Sequence, residues 1–372
     1  MQITFVSNYI NHHQIPVSEE LFRLSGGNYT FIQTEPMEEE RVKMGWDADS
    51  LNRPYVKLYY KDKEFCDELI MNSDCVIFGG CEDEAVIMPR LEAGLFTIRY
   101  SERLYRGGRW KFISPRGLIK KYHDHIRFRK NDVYLLCSGA YVKGDFSLIH
   151  AYPGKMLKYG YFPEMNEYDD VHELRRNNEK IEILWAARFL DWKHPEVMIE
   201  LARELKRAGV DFHISMIGNG EYLEKTKDFA SDVSDVCGFY GAKTPKEVRE
   251  AMRRADIFVS TSDRNEGWGA VVNESMNSGC VCIAPHDIGA APYLIEDGVN
   301  GFLYKACDVD RLAAIIKGLS GDKEKQREIG LNAYKTIKDI WNPQIAASRL
   351  FEFINDADRN CDRYKKGPLS RA

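Results

Sequence analysis

The stretch ADIFVSTSDRNEGWGAVVNESMNSG, residues 255–279, contains a strand, a loop and a helix in immediate succession. Ile257 to Val259 is a short β-branched and aromatic run of the kind that fills a buried strand, and the strand ends near Thr261. A helix-like run starts at about Ala270 and closes at Gly279. Between them lie Glu266, Gly267, Trp268 and Gly269, and a second acid, Glu274, follows eight positions after the first. Both carboxylates are thereby placed at the rim of a sheet. Glycines at such a rim let main-chain amides approach a ligand, and the positive end of the following helix favours an anion. A carboxylate there is suited to accept hydrogen bonds from hydroxyl groups. Taken alone, the stretch is also compatible with a solvated helix acid and an ordinary loop acid.

Outward from this unit the same alternation recurs. IEILWAARF, FHISMIG, VCGFYG and CVCIAP are strand-like runs separated by helical segments such as PEVMIELARELKRAG and TPKEVREAMRRA. Pro195 and Pro245 suit first-turn helix positions, and Thr244 with Glu247 forms the pattern of a capping box. The first half repeats the theme with ITFVS, YTFIQ, VKLYY, CVIFGG, LFTIRYS and VYLLCSG. Strands alternating with helices predict parallel sheets covered on both faces. The expected fold class is therefore α/β, with two Rossmann-like doubly wound domains facing a cleft. Residues 1–162 are expected to form the first and 163–341 the second, with 342–372 a capped amphipathic helix plus a loosely ordered tail. In such sheets ligands bind where strands end at their carboxyl edge, so the loops after the strands are the places to look.

Composition narrows the function classes. The chain has 372 residues, a formal net charge of −5, 44% hydrophobic and 29% charged residues, which is the balance of a soluble globular protein. No apolar run approaches the roughly 18 residues that a membrane span needs. MQITFVSN enters a strand-like run without the basic start and long apolar stretch of a signal peptide, so a cytoplasmic location is expected. The nine cysteines include no C-x-x-C pair, which argues for reduced thiols and against a disulfide framework or zinc ribbon. WDAD at 46–49 and DVD at 308–310 have the look of metal-binding acid pairs but lack a supporting context. His123 and His125 are set aside as a metal pair, because a helix separates them by about 200°.

E-G-x-G-x-x-x-x-E from Glu266 to Glu274 resembles the signature of family 4 retaining glycosyltransferases, which have the two-lobed GT-B fold. Further matches fall in the family's order. IEILWAARFLDWKHPE resembles its strand ending in a basic residue followed by lysine, SMIGNGEYLEK its I-G-x-G turn, and CGFYGAKTPKEV its nucleobase-contacting strand end. GCVCIAPHDIGAAPYLIEDGVNGFLY resembles the run that follows its second glutamate. The resemblance implies that Arg188 and Lys193 neutralise the donor's diphosphate, and that Glu274 holds the ribose of a sugar nucleotide. Glu266 and the amides of Gly267, Trp268 and Gly269 would hold the transferred sugar, with Gly218 and Tyr240 completing the donor site. A UDP-sugar is the expected donor. The resemblance also implies that the C-terminal helix within 342–372 returns to the first domain. No metal is expected, since Arg188 and Lys193 supply the charge stabilisation that a metal gives elsewhere. Two positions depart from the family pattern: Tyr293 follows Pro292 where glutamate is frequent, and His194 follows Lys193 where glycine is frequent. A sugar-nucleotide epimerase on the same fold, or a non-catalytic sugar-nucleotide-binding homologue, remains an alternative.

In the first half, FVSNYINHHQIPVSEEL resembles the first strand and loop of relatives that build bacterial surface polysaccharides. This places Asn11, His12 and His13 beside the acceptor, a saccharide or polyprenyl-diphosphate-linked saccharide. Consecutive side chains diverge, so His12 and His13 are not expected to bind one metal together. Where many relatives carry a histidine at a later strand end, this chain has Tyr100, Ser101, Glu102 and Arg103, and Glu102 is the substitute. Residues 99–130 carry eleven Lys or Arg against two acids, interleaved with aromatics including Trp110, Phe112 and Phe128. Such a segment calls for an anionic neighbour, and the aromatics favour the inner face of a membrane over nucleic acid, for which no module motif is present. An ordinary solvated basic face is the plain alternative.

Overall fold

The structure, a computed structural model, describes residues 1–37, 50–81, 83–108 and 112–372. The chain forms two compact units, Met1–Glu164 together with Trp341–Ala372, and Met165–Ile340. WDAD and Trp110 lie outside the described residues.

The first unit is built on seven strands: β1 (Ile3–Ser7), β2 (Tyr29–Gln33), β3 (Val56–Leu58), β4 (Cys75–Gly79), β5 (Thr97–Ser101), β6 (Val133–Ser138) and β7 (Met156–Tyr159). They lie in the order β3-β2-β1-β4-β5-β6-β7, and every pairing is parallel. β1, β2, β4 and β6 are buried along their whole length, as strands covered by helices on both faces must be. Val6, Ile32, Val76, Phe78 and Leu135 form the sheet side of a core that Ile87, Leu91 and Phe146 close from the helices.

The second unit carries β8 (Ile181–Ala186), β9 (Phe212–Ile217), β10 (Cys237–Phe239), β11 (Ile257–Val259), β12 (Val281–Pro285) and β13 (Phe302–Tyr304). Their order, β10-β9-β8-β11-β12-β13, is again all parallel. Both sheets are thus doubly wound α/β layers, as the alternating sequence pattern predicts. The strand order of the second sheet reverses between β8 and β11, which pair Ile183 with Ile257 and Leu184 with Phe258. Loops leaving two such strands diverge to opposite faces and open a crevice between them. The helix Pro245–Arg254 starts with the expected capping box at Thr244 and Glu247. Asp308, in the DVD run, caps the helix Val309–Leu319 by accepting from the Arg311 amide at 2.9 Å.

The expected loose tail is instead built into the first unit. Leu369 and Ser370 are buried, the Leu369 amide donates to the Lys158 carbonyl at 2.8 Å, and the Lys158 amide donates to the Ser370 carbonyl at 2.8 Å. β7 is an edge strand, and its outward main-chain groups need partners that the tail supplies. All nine cysteines are free thiols. Among the described residues no helix is long and apolar enough to cross a membrane.

Candidate functional site

In the second unit the two loops at the strand-order reversal are tied together. After β8 the chain turns through Arg188, which is exposed, and then through the short turn Asp191–Lys193. After β11 it passes Thr261 and Asp263 before reaching Glu266. The indole of Trp185, buried in β8, donates to Thr261 Oγ1 at 2.8 Å, and the Thr261 hydroxyl donates to the Lys193 carbonyl. The Asp263 amide donates to the Trp192 carbonyl at 3.1 Å. These ties hold the Lys193 ammonium in an ion pair with the Glu266 carboxylate, both side chains largely withdrawn from solvent. The Lys193 ammonium also lies 4.2 Å from the centre of the Trp192 ring. An acid and a base from opposite sides of the crevice are therefore in contact.

His194, which stands where glycine is frequent in the family resembled, has the left-handed backbone that glycine adopts most easily, with φ +47°. Its ring is held by Glu196 at 3.0 Å and faces Asp263 at 3.5 Å, which keeps a side chain in a conformation that costs about 1–2 kcal/mol. Gly218, at the end of β9, is obligatory for a different reason. A Cβ there would sit 1.8 Å from the Ala187 carbonyl oxygen, at a φ of +146°. The I-G-x-G turn thus packs its main chain against the start of the loop that carries Arg188. Tyr240, just beyond β10, is exposed and within 3.1 Å of His213 Nε2 through its hydroxyl.

The side chain of Trp268 in the glycine loop turns inward. Trp268 is 1% exposed and its indole donates to Asn273 Oδ1 at 2.8 Å, so this residue has only backbone to offer a ligand. Gly269 has φ +86° and caps the helix Ala270–Asn277, with Ile288 Cγ2 only 2.6 Å from where a Cβ would stand. Glu274 lies on that helix, its side chain half-buried. Desolvation pushes its carboxyl up to about 7, opposed in part by Arg249. Arg175, missed in the sequence, locks the far end of the same helix. Its buried guanidinium donates to the carbonyls of Met252, Arg253, Ser278 and Gly279.

In the first unit, Asn11 Oδ1 accepts from the His13 amide at 3.0 Å and bends the loop after β1 into a turn. The two side chains do not diverge as expected: in this turn their ring centres are 3.8 Å apart. His13 stacks on Tyr161, with centroids 6.0 Å apart and planes at 3°. The Tyr161 hydroxyl donates to Glu102 Oε1 at 2.6 Å, and Arg106 pairs with the same carboxylate. The loops after β1 and β5 therefore share one aromatic and hydrogen-bonded chain. Tyr161 is its middle member, and nothing in its sequence surroundings marked it.

The basic segment is less unsatisfied than its composition suggests. Arg99, Arg103, Arg106, Lys120 and Arg127 pair with Glu84, Asp145, Glu102, Asp124 and Glu92. Phe128 is buried in the core and Phe112 packs against it, so neither serves as an exposed aromatic. His125 is also interior, 2.8 Å from the Tyr152 hydroxyl, and desolvation holds its pKa well below the usual histidine value.

Residues 167–336, which carry the crevice of the second unit, match the family described as Glycosyl transferases group 1. The match covers 170 of the 372 residues and lies within the second unit. Over 185 residues it is 31% identical to the amylovoran biosynthesis glycosyltransferase AmsK of Erwinia amylovora, spanning 48% of this chain and 45% of that protein. Over 303 residues it is 22% identical to a GDP-mannose-dependent α-(1-6)-phosphatidylinositol monomannoside mannosyltransferase of Mycobacterium tuberculosis, spanning 77% of this chain and 76% of that one. The match to the first relative thus spans less than half of its length. Across both units the fold is that of Anabaena Alr3699/HepE, solved in complex with UDP, at a TM-score of 0.72 and 13% identity, with 95% of this chain and all of that one covered. Within residues 167–336 the residues that the sequence did not mark are the supports: Trp185, Thr261, Asp263 and Arg175. Their partners are distant in sequence, so no local pattern marks them.

Proposed function

We propose that the chain is a metal-independent retaining glycosyltransferase of family 4 type, moving a sugar from a nucleotide donor to a saccharide acceptor. The observation that carries this reading is the Lys193–Glu266 ion pair at the strand-order reversal of the second sheet. An arriving diphosphate competes for Lys193 with two negative charges against one. Taking Lys193 releases Glu266, which is then able to accept hydrogen bonds from the hydroxyls of the transferred sugar. Arg188 adds a second cation to the leaving diphosphate as its charge develops. Glu274 accepts from the ribose hydroxyls, and the amides of the Gly267–Gly269 turn face the donor. The acceptor hydroxyl attacks the anomeric carbon from the face the diphosphate leaves, and the departing phosphate oxygen takes its proton. The bond to the diphosphate oxygen breaks as the new glycosidic bond forms, with retained configuration.

The first unit supplies the acceptor groups: Asn11, His12 and His13 after β1, and Glu102 after β5. The acceptor is a saccharide, either free or carried on a polyprenyl diphosphate, and a lipid-carried one is met at the cytoplasmic face of the membrane. UDP is the first candidate for the donor's base. GDP is the second, favoured by the mannosyltransferase names among the relatives aligned over most of the chain.

Calorimetric titration with UDP, GDP and a panel of sugar nucleotides, first in EDTA and then with magnesium, tests the donor site. Metal-independent binding of one nucleotide is expected, weakened in Glu274→Ala. Lys193→Ala and Arg188→Ala are expected to slow transfer by about a hundredfold or more. Wild-type kinetics in all three variants would remove the assignment, and absence of nucleotide binding would remove the function.

A further inference from the structure

The helix Pro115–Asp124 in the first unit is amphipathic the wrong way round. A surface helix normally turns its apolar stripe inward and its charges out. Here Leu118, Ile119 and Tyr122 are 38%, 60% and 53% exposed, and Ile113, just ahead of the helix, is 64% exposed. Asp124 is the buried residue of this helix, and it pairs with Lys120 at 3.0 Å. At 100° per residue Leu118, Tyr122 and Ile119 fall within an arc of about 100°, and Asp124 lies roughly opposite its centre. The apolar arc therefore faces away from the unit. Arg116 and His123 border it on one side and Lys121 on the other.

Charge decides what covers this face. Most of the segment's other described cations are neutralised internally. Among the described residues Arg116, Lys121, Arg129 and Lys130 have no carboxylate within ion-pair distance. An apolar crest flanked by cations is complementary to a bilayer surface, where acyl chains lie beneath anionic headgroups. A symmetric contact with a second copy would set the same cations against each other. Nucleic acid would satisfy the cations but gain nothing from Ile113, Leu118 and Ile119.

The geometry points to the helix Pro115–Asp124 as a membrane-docking element that lies in the headgroup plane of an anionic bilayer. Ile113, Leu118, Ile119 and Tyr122 insert, and Arg116 and Lys121 contact lipid phosphates. The crest residues are not those that composition singles out, since Phe112 and Phe128 belong to the core. The helix and the Glu102–Tyr161–His13 group belong to the same compact unit, so docking brings that group to the membrane on which a lipid-carried saccharide is presented. That last consequence rests on the lipid-linked acceptor proposed above, whereas vesicle binding does not.

Co-sedimentation of the full chain with phosphatidylcholine vesicles, and with equimolar phosphatidylcholine and phosphatidylglycerol, tests this directly. Binding is expected only to the anionic vesicles, and it should weaken as salt is raised. Arg116→Glu is expected to lower the partition coefficient by about fivefold or more. Leu118→Asp combined with Ile119→Asp is expected to lower it by at least about tenfold. These side chains are exposed, so circular dichroism and nucleotide titration should match wild type and separate lost docking from lost folding or lost donor binding. Equal sedimentation of wild type and the double variant, or none with anionic vesicles, would overturn the proposal. Self-association in sedimentation velocity that the double variant abolishes would assign the face to a second copy instead, and so would overturn it too.

Discussion

Glu274 shows how a single residue's surroundings set its chemistry. A carboxylate that accepts from a ribose diol must be ionised, yet desolvation raises this one to about 7, against 4.5 for an ordinary glutamate. Nucleotide affinity is therefore expected to rise between about pH 6 and pH 8 as the group loses its proton, and Glu274→Gln should flatten that rise in a calorimetric pH series. A wild-type profile unchanged in Glu274→Gln would show that another group titrates. The folding contribution has the opposite slope. Between the unfolded and folded values the native state binds the proton more tightly, so this group's share of stability is lost as pH rises from 4.5 towards about 7. Glu266 is placed by contact with Lys193 and not by burial alone. The spacing of the two acids was legible in the sequence; their different environments depend on neighbours far along the chain.

At the level of elements, most strands and caps could be read locally. The capping box at Thr244 and the helix from Ala270 follow from residues within one turn of each end. β7 and β13 are absent from the strand-like runs of the sequence, whereas β3 and β10, equally short edge strands, are legible from the runs VKLYY and VCGFYG around them. The inverted helix Pro115–Asp124 was legible as basic and amphipathic, but which face turns outward was not. Arg175 makes a prediction at this scale. Its guanidinium joins the end of the helix Ala270–Asn277 to the last turn of the helix Pro245–Arg254 through their carbonyls. Arg175→Met keeps the apolar stem and strands those carbonyls, so urea unfolding should show a loss of about 3 kcal/mol. A loss below about 1 kcal/mol would mean that water replaces the guanidinium without cost.

For the whole molecule, each unit has its own parallel sheet and its own core. Arg188, Lys193, Gly218, Tyr240, Glu266 and Glu274 all belong to Met165–Ile340. A fragment covering 165–340 is expected to fold and to bind the nucleoside diphosphate within about tenfold of the full chain, while catalysing no transfer. A folded fragment with no measurable affinity would show that donor binding needs groups outside this unit. What the sequence alone determined is what depends on near neighbours: the α/β alternation, the strand-end loops and the residue types placed in them. The tertiary structure alone decided which loops face each other. β8 and β11 are separated by some seventy residues but adjacent in the sheet, and only that pairing brings Lys193 to Glu266. The same is true of Tyr161 with Glu102, and of the outward turn of the Leu118–Ile119–Tyr122 arc. Contacts between distant segments are fixed by packing of the whole core, which no local pattern encodes.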